Sequence, residues 1–199
     1  MLLETNKDIR VIGSADNGRD AISRIKELKP DVAIIDIAMP SLNGIEVITQ
    51  VREETIITKC IILSMHSTSE HIFRAFQAGA RGYLLKESAG GEVIDAVRSV
   101  YSGNRYLCKK IADVVIDSHI LKQESQPSKK SPLERLSARE REILQLVAEG
   151  KSSADIAAIL LISQKTVETY RSRLMQKLSI HDIPSLVKFA IRHGIISEA

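Results

Sequence analysis

The sequence has few cysteines and no long apolar run, and these absences exclude several classes of protein. Cys60 and Cys108 are its only two cysteines, and they provide neither a metal-binding spacing nor a disulfide framework. No apolar run approaches the roughly 18 residues of a membrane span. The N-terminus lacks the basic start and apolar stretch of a secretory signal. We therefore expect two ordinary thiols in a reducing cytoplasm and no contact with a membrane.

Histidine and glycine motifs of enzymes are also lacking. The five histidines are scattered along the chain, so neither metal ligation nor histidine-based catalysis is indicated. The stretches GARG and SAGG do not have the spacing of a phosphate-binding loop. The remaining composition, 44% hydrophobic and 27% charged residues, is that of a globular protein. A chain of 199 residues has room for one large domain or two small ones.

The net charge of +3 is unevenly distributed. Residues 1–116 hold 15 basic and 15 acidic side chains, whereas residues 131–199 hold 10 basic and 8 acidic ones. Within residues 164–178, four basic residues stand against Glu168 alone; they are Lys165, Arg171, Arg173 and Lys177. A basic cluster on one predicted helix suits a polyanion such as nucleic acid.

Apolar strand-like segments alternate with amphipathic helical segments in the first part of the chain. This alternation predicts an α/β domain with a doubly wound parallel sheet covered on both faces. The predicted strands cover residues 9–15, 31–37, 59–65 and 82–86, and the predicted helices cover residues 18–28, 44–53, 69–79, 91–103 and 105–121. Functional groups of such sheets cluster at the carboxyl ends of the strands, where Asp36, Ser64 and Lys86 stand.

The second part of the chain has a helical pattern only. Residues 122–132 contain no apolar side chain except proline and predict a flexible linker. Ser137 and Glu140 then form the signature of a capping box. Four helices are predicted, over residues 137–150, 153–160, 164–178 and 183–194. We therefore expect an α/β domain, a linker and an all-α four-helix domain, over residues 1–116, 117–132 and 133–199.

Two helices joined by a tight turn, the second of them basic, are typical of a helix-turn-helix domain. In the second helix Val167, Leu174 and Leu178 form an apolar stripe. The opposite side carries polar residues that fit a major groove, namely Lys165, Thr169, Ser172 and Gln176. From this pattern alone, an ordinary amphipathic surface helix remains the alternative.

The C-terminal sequence LSAREREILQLVAEGKSSADIAAILLISQKTVETYRSRLMQKLSIHD closely resembles the DNA-binding domain of the LuxR/NarL/FixJ family of bacterial transcription regulators. The resemblance extends over about residues 136–196. It implies that Glu168, Thr169 and Ser172 face DNA bases. It also implies contacts to the DNA backbone from Lys165, Thr166, Tyr170, Arg171 and Lys177. Tyr170 stands where many members of the family have histidine.

Residues 9–103 resemble the CheY-like, flavodoxin-like receiver domain of two-component response regulators. The resemblance rests on DVAIIDIAMPSLNG, IILSMH and AGARGYLLKE, which occur in the family's order. It implies that Asp36 is a nucleophile that accepts a phosphoryl group. The Ser64 hydroxyl and the Lys86 ammonium would then meet the phosphoryl oxygens. Tyr83 matches the family's switch aromatic, which moves together with Ser64.

The same resemblance implies a Mg²⁺ ion held by Asp36, the backbone carbonyl of Ala38 and an adjacent acidic pair. The family carries that pair at the end of its first strand, whereas Glu53 and Glu54 end a different helix here. About twenty residues, enough for that strand and most of a helix, have no counterpart in the sequence. The receiver is therefore expected to be N-terminally incomplete. Either a longer protein has been shortened, or the receiver is naturally degenerate.

The missing strand would lie inside the sheet, because the family's strand order is 2-1-3-4-5. Its two neighbours would then expose unpaired backbone groups and an apolar layer.

The two resemblances together imply a DNA-binding transcriptional regulator of a bacterial two-component system, controlled by phosphorylation of Asp36. A sensor histidine kinase would be its partner, and a homodimer would bind paired half-sites on double-stranded DNA. The alternative is a phosphorylation-independent DNA-binding regulator whose degenerate receiver serves protein interaction. A phosphatase-like enzyme is disfavoured, because Ala38 stands where a second acidic group would be needed.

Overall fold

The N-terminal part of the chain folds around a parallel sheet, as its alternating apolar pattern predicts. The structure is a computed structural model that describes residues 3–115 and 132–196. The strands are β1 (Val32–Asp36), β2 (Lys59–Ser64), β3 (Gly82–Leu85) and β4 (Tyr106–Leu107). They lie in the order β1-β2-β3-β4, each parallel to its neighbour. The carboxyl ends of β1, β2 and β3 therefore meet at one edge of the sheet.

Helices flank this sheet and bury their apolar faces. They are α1 (Gly18–Leu28), α2 (Gly44–Glu53), α3 (Ser69–Ala78), α4 (Ala89–Tyr101) and α5, which is described over residues 109–115. Helix α1 packs against α2, and α2 packs against α3, whereas α4 packs against all four strands. Apolar residues at helical spacing form the buried faces; in α1 these are Ala21, Ile22 and Ile25.

Residues 9–15, which the sequence predicts to be a strand, do not form one. They have no regular secondary structure, and among the described residues the sheet begins at β1. A strand is stabilised by hydrogen bonds to a neighbouring strand, and no described strand lies on the outer side of β1. The prediction was wrong because an apolar pattern does not by itself provide a partner.

Several element boundaries also differ from the predictions, most of them by one or two residues. The helix predicted over residues 105–121 starts later than expected, at residue 109. Its first predicted turn instead contains β4, Tyr106–Leu107, which pairs with Gly82 and Tyr83. Helix α4 begins at Ala89, before the predicted start at residue 91. Pro132, the last residue of the predicted linker, begins a 3-10 turn, Pro132–Arg135. Residues 116–131, which hold the rest of the predicted helix and linker, lie outside the described residues.

The described part of the C-terminal unit, residues 132–196, contains four α-helices, as predicted. They are α6 (Ala138–Ala148), α7 (Ser153–Leu160), α8 (Gln164–Leu178) and α9 (Ile183–Arg192). Their core includes Ile143, Ile156, Val167, Leu174 and Leu186. The predicted capping box is present: the Ser137 N–H donates to Glu140 Oε2 (2.7 Å), and the Glu140 N–H donates to Ser137 Oγ (3.2 Å). None of the helices in residues 3–115 and 132–196 has the length and apolar character needed to cross a bilayer.

The start of α2 leaves no room for a side chain at Gly44. A Cβ atom added there would overlap the carbonyl oxygen of Asp36 and lie 2.9 Å from Ile35 Cγ2. We expect Gly44→Ala to lower the free energy of unfolding by about 1–3 kcal/mol, the usual cost of overpacking, in a denaturant titration.

The matched control for this substitution is Gly90→Ala in α4. Nothing lies within 4 Å of a Cβ atom added at Gly90, so alanine should be neutral or stabilise the helix by up to about 1 kcal/mol. Equal losses of stability in the two variants would contradict the close approach of α2 to β1.

Candidate functional site

The ends of β1, β2 and β3 bring Asp36, Ser64 and Lys86 to the same edge of the sheet. Asp36 is the last residue of β1, Ser64 is the last residue of β2, and Lys86 directly follows β3. The backbone N–H of Lys86 donates to the carbonyl oxygen of Ser64 (2.8 Å), which extends the ladder by one residue. The structure therefore places together the three residues that sequence reasoning placed at strand ends.

The Asp36 carboxylate is held by two donors. Its Oδ2 accepts a hydrogen bond from Lys86 Nζ at 2.5 Å, and its Oδ1 accepts one from the backbone N–H of Ala38 at 3.1 Å. The side chains of Asp36 and Lys86 are 31% and 36% exposed, so both can meet a reactant from solvent. A carboxylate in this position can act as a nucleophile, and the ammonium beside it can neutralise negative charge that develops there.

The side chains of Ser64 and Tyr83 both form hydrogen bonds with the backbone of one loop residue, His66. Ser64 is buried, and its Oγ accepts a hydrogen bond from the His66 N–H (2.9 Å). The hydroxyl of the buried Tyr83 donates to the His66 carbonyl oxygen (2.8 Å). Burial raises the pKa of Tyr83 to about 12, so its hydroxyl keeps its proton and remains a donor near neutral pH. A movement of Ser64 can therefore be transmitted to Tyr83 through His66.

The described residues do not complete a site for a divalent metal ion. In residues 3–115 and 132–196, no group of three or more His, Cys, Asp or Glu side chains is placed to hold one. Asp36 offers a carboxylate, one oxygen of which already accepts from Lys86, and Ala38 offers a carbonyl. Mg²⁺ requires about six oxygen ligands in near-octahedral geometry. The residues present therefore do not fit the Mg²⁺ site that the sequence resemblance implies.

Helix α8 has one buried face and one exposed face. Val167 and Leu174 are fully buried in the core of the C-terminal unit, and Leu178 is partly buried. Five residues with predicted DNA contacts are exposed, namely Lys165, Glu168, Thr169, Ser172 and Lys177. Three others are partly buried, namely Thr166, Tyr170 and Arg171. The predicted polar face exists, and its contacts with DNA remain predictions.

The start of α8 is fixed by its cap. The Thr166 N–H donates to Ser163 Oγ (3.1 Å), as expected of a serine at this position. One turn later the Thr169 hydroxyl donates to the Lys165 carbonyl oxygen (2.9 Å). The first turns of the exposed face are thus held by local hydrogen bonds.

Lys177 has a partner that sequence reasoning missed. Its Nζ donates to Glu140 Oε2 at 2.7 Å, and the Glu140 side chain is only 4% exposed. Burial acts to raise the pKa of Glu140, but hydrogen bonds from Lys177 and Ser137 outweigh it and hold the pKa below its usual value. Lys177 therefore fastens the end of α8 to the start of α6. The two residues are far apart in sequence, so no local pattern signals the pair.

Two family models match separate parts of the chain. Residues 1–98 match the family model described as Response regulator receiver domain, and residues 134–190 match Bacterial regulatory proteins, luxR family. Response regulator UvrY of Escherichia coli (strain K12) is 38% identical over 194 residues, which cover 98% of this chain and 87% of UvrY. The chain belongs to the LuxR family of response regulators.

Another relative and a solved structure support this assignment. Oxygen regulatory protein NreC of Staphylococcus epidermidis (strain ATCC 35984) is 34% identical over 199 residues, which cover 98% of this chain and 91% of NreC. The crystal structure of a two-component response regulator of the LuxR family from Aurantimonas sp. SI85-9A1 is 28% identical, with a TM-score of 0.58. The aligned region covers 60% of the present chain and 85% of the Aurantimonas protein in that structure. Family membership confirms the predicted fold class and the prediction of a response regulator that controls transcription.

In this response regulator, replacement of Lys177 by methionine should destabilise the C-terminal unit. Glu140 would remain buried without its cation, which should cost about 1–3 kcal/mol near pH 7. The folded-state pKa of Glu140 is lowered, so its contribution is present above the unfolded pKa and is lost as the pH falls through the folded pKa. Urea titrations should therefore show that the difference between parent and variant shrinks below the ordinary glutamate value of 4.5.

The control for this variant is Lys165→Met, which changes an exposed lysine of the same helix. It should alter stability by less than about 0.5 kcal/mol at every pH. A stability loss in Lys177→Met that did not depend on pH would contradict the pairing with Glu140.

Proposed function

We propose that this response regulator controls transcription through phosphorylation of Asp36 and through DNA contacts made by α8. The observation that carries the proposal is the meeting of Asp36 and Lys86, whose charged atoms lie 2.5 Å apart at the edge of the sheet. A sensor histidine kinase is the proposed source of the phosphoryl group. We also propose a cytoplasmic location and a homodimer on double-stranded DNA, since a two-fold dimer suits paired half-sites.

The proposed reaction is a direct transfer to the Asp36 carboxylate. A carboxylate oxygen forms a bond to phosphorus, the bond between phosphorus and the donor atom breaks, and the donor leaves with that electron pair. The Ala38 N–H holds the orientation of the carboxylate, to which it donates at 3.1 Å. The product carries additional negative charge on its phosphoryl oxygens. The Lys86 ammonium, which lies beside Asp36, would stabilise that charge.

We propose that Ser64 and Tyr83 form the switch that detects the new phosphoryl group. Donation from the Ser64 hydroxyl to a phosphoryl oxygen requires Ser64 to turn toward the edge of the sheet. This rotation of the Ser64 side chain would disturb its hydrogen bond with His66, with which Tyr83 also forms a hydrogen bond. The rearrangement of these two residues would carry the signal away from Asp36.

On DNA, the exposed face of α8 would read sequence in a major groove. Glu168, Thr169 and Ser172 would face base edges, which carry the sequence information. The residues proposed to contact the DNA backbone are Lys165, Thr166, Tyr170 and Arg171. Lys177 was predicted to join them, but its pairing with Glu140 supports a structural role instead.

The incomplete metal site favours a second candidate function. Receiver domains are generally associated with a divalent metal ion, for which Mg²⁺ is the proposed species. Asp36 and Ala38 provide only part of its ligand set among the described residues. The second candidate is a phosphorylation-independent DNA-binding regulator whose N-terminal unit serves protein interaction. In both candidates the protein acts as a regulator and not as an enzyme.

Intact mass distinguishes the two candidates. After incubation of the full chain with Mg²⁺ and acetyl phosphate, we expect the parent to gain the mass of one phosphoryl group and Asp36→Asn to gain none. The matched control is Asp31→Asn, because Asp31 precedes the opposite end of β1 and its loss should leave the addition intact. Absence of any addition to the parent would exclude phosphorylation of Asp36 and favour the second candidate.

A further inference from the structure

Two histidine rings lie stacked beside the switch residues of the N-terminal unit. The ring centroids of His66 and His71 are 4.4 Å apart, and the two ring planes differ by only 9°. His71 is buried within α3, whereas His66 lies in the loop before α3 and is partly buried. We call this pair the histidine stack. Neither the phosphoryl transfer nor the DNA contacts proposed above make use of it.

Thr68 orients the buried ring of the histidine stack. Thr68 Oγ1 and His71 Nδ1 lie 2.6 Å apart and share a hydrogen bond. Thr68 is also the N-cap residue of α3, a position where a threonine hydroxyl usually accepts from a backbone N–H group of the first turn. In the described helix its side chain makes no such capping bond. The hydroxyl is thus used to fix His71 instead of the start of the helix.

The other ring of the stack belongs to the residue that joins Ser64 to Tyr83. The His66 N–H donates to Ser64 Oγ (2.9 Å), and the His66 carbonyl oxygen accepts from the Tyr83 hydroxyl (2.8 Å). The ring of His66 is joined to this backbone through a single methylene group, so a rotation of the backbone tilts the ring away from His71. The stack and the two hydrogen bonds therefore stabilise the same arrangement of the loop.

We propose that His71 is a positioning residue of the switch, which holds His66 through the histidine stack and so opposes the rotation of Ser64. This inference rests on the proposed function, in which Ser64 turns toward a phosphoryl oxygen on Asp36 and gives up its bond with His66. The stack stabilises the arrangement before that turn, so its removal shifts the equilibrium toward the switched arrangement. The attraction between two stacked rings corresponds to a shift of about two- to tenfold.

Hydrogen exchange at the backbone amide of residue 66 tests the stack. It is measured by nuclear magnetic resonance on the full chain without a phosphoryl donor. His71→Ala removes one ring and should lower the protection factor of this amide about two- to tenfold. His66→Ala removes the other ring, which is only partly buried, and should lower it to the same extent without a change in the core of α3. His71→Phe keeps a planar ring and should protect the amide as the parent does.

The matched control is Phe73→Ala, which removes an aromatic ring from the same helix. The Phe73 side chain is 61% exposed and does not belong to the histidine stack. Its loss should therefore leave the protection of the residue 66 amide equal to that of the parent. Amide spectra of all four variants show whether each one is folded.

DNA affinity separates a positioning role of His71 from a purely structural one. Fluorescence anisotropy is measured with a labelled duplex that the parent has selected from random sequences. Without a phosphoryl donor, His71→Ala should bind this duplex about two- to tenfold more tightly than the parent does, because apparent affinity follows the fraction of molecules in the competent state. His71→Phe should bind as the parent does. A change that only loosened α3 would not raise the affinity.

Three results would overturn the proposal. The first is unchanged protection of the residue 66 amide in both alanine variants, and the second is an equal loss of protection in His71→Ala and His71→Phe. The third is a loss of protection in His71→Ala without tighter donor-free binding of the duplex. All three are read without a phosphoryl donor. A parent whose mass does not change with acetyl phosphate therefore overturns the proposed phosphorylation alone, and the protection factor and donor-free affinity still decide the role of His71.

Discussion

The parallel register of β1, β2 and β3 is the constraint on which the N-terminal site depends. It sets Asp36 beside Leu63 and Ser64 beside Leu85, so that residues from three separate segments end at one edge. A slip of one residue would turn every side chain of a strand to the opposite face of the sheet and separate Asp36 from Lys86. The site is therefore built on the ends of core strands, and the loops complete it.

The two units of the chain are stabilised in different ways. In the N-terminal unit β1 carries Asp36 at its carboxyl end, and its position is fixed by the parallel pairing with β2. In the C-terminal unit, capping boxes fix the starts of α6 and α7, and a continuous apolar core holds the described helices together.

The sequence predicted elements whose stability is local and missed those that depend on a distant partner. Apolar runs identified β1 to β3, and the capping box of Ser137 and Glu140 identified the start of α6. Residues 9–15 have a similar apolar pattern, but none of the strands in the described part of the chain pairs with them, so the predicted strand does not form. Conversely, Tyr106–Leu107 is too short to leave a pattern and exists because it pairs with β3. The contact of Lys177 with Glu140 joins two helices and has no signature in either one.

The central claim is that phosphorylation of Asp36 controls the affinity for DNA. Measurement of that affinity with and without a phosphoryl donor tests the claim most directly. Fluorescence anisotropy with a labelled promoter duplex should show tighter binding of the parent after treatment with Mg²⁺ and acetyl phosphate. An increase of at least about fivefold is expected for a coupling of 1 kcal/mol or more. Asp36→Asn should bind equally well with and without the donor. Equal affinity of the treated and untreated parent would contradict the claim.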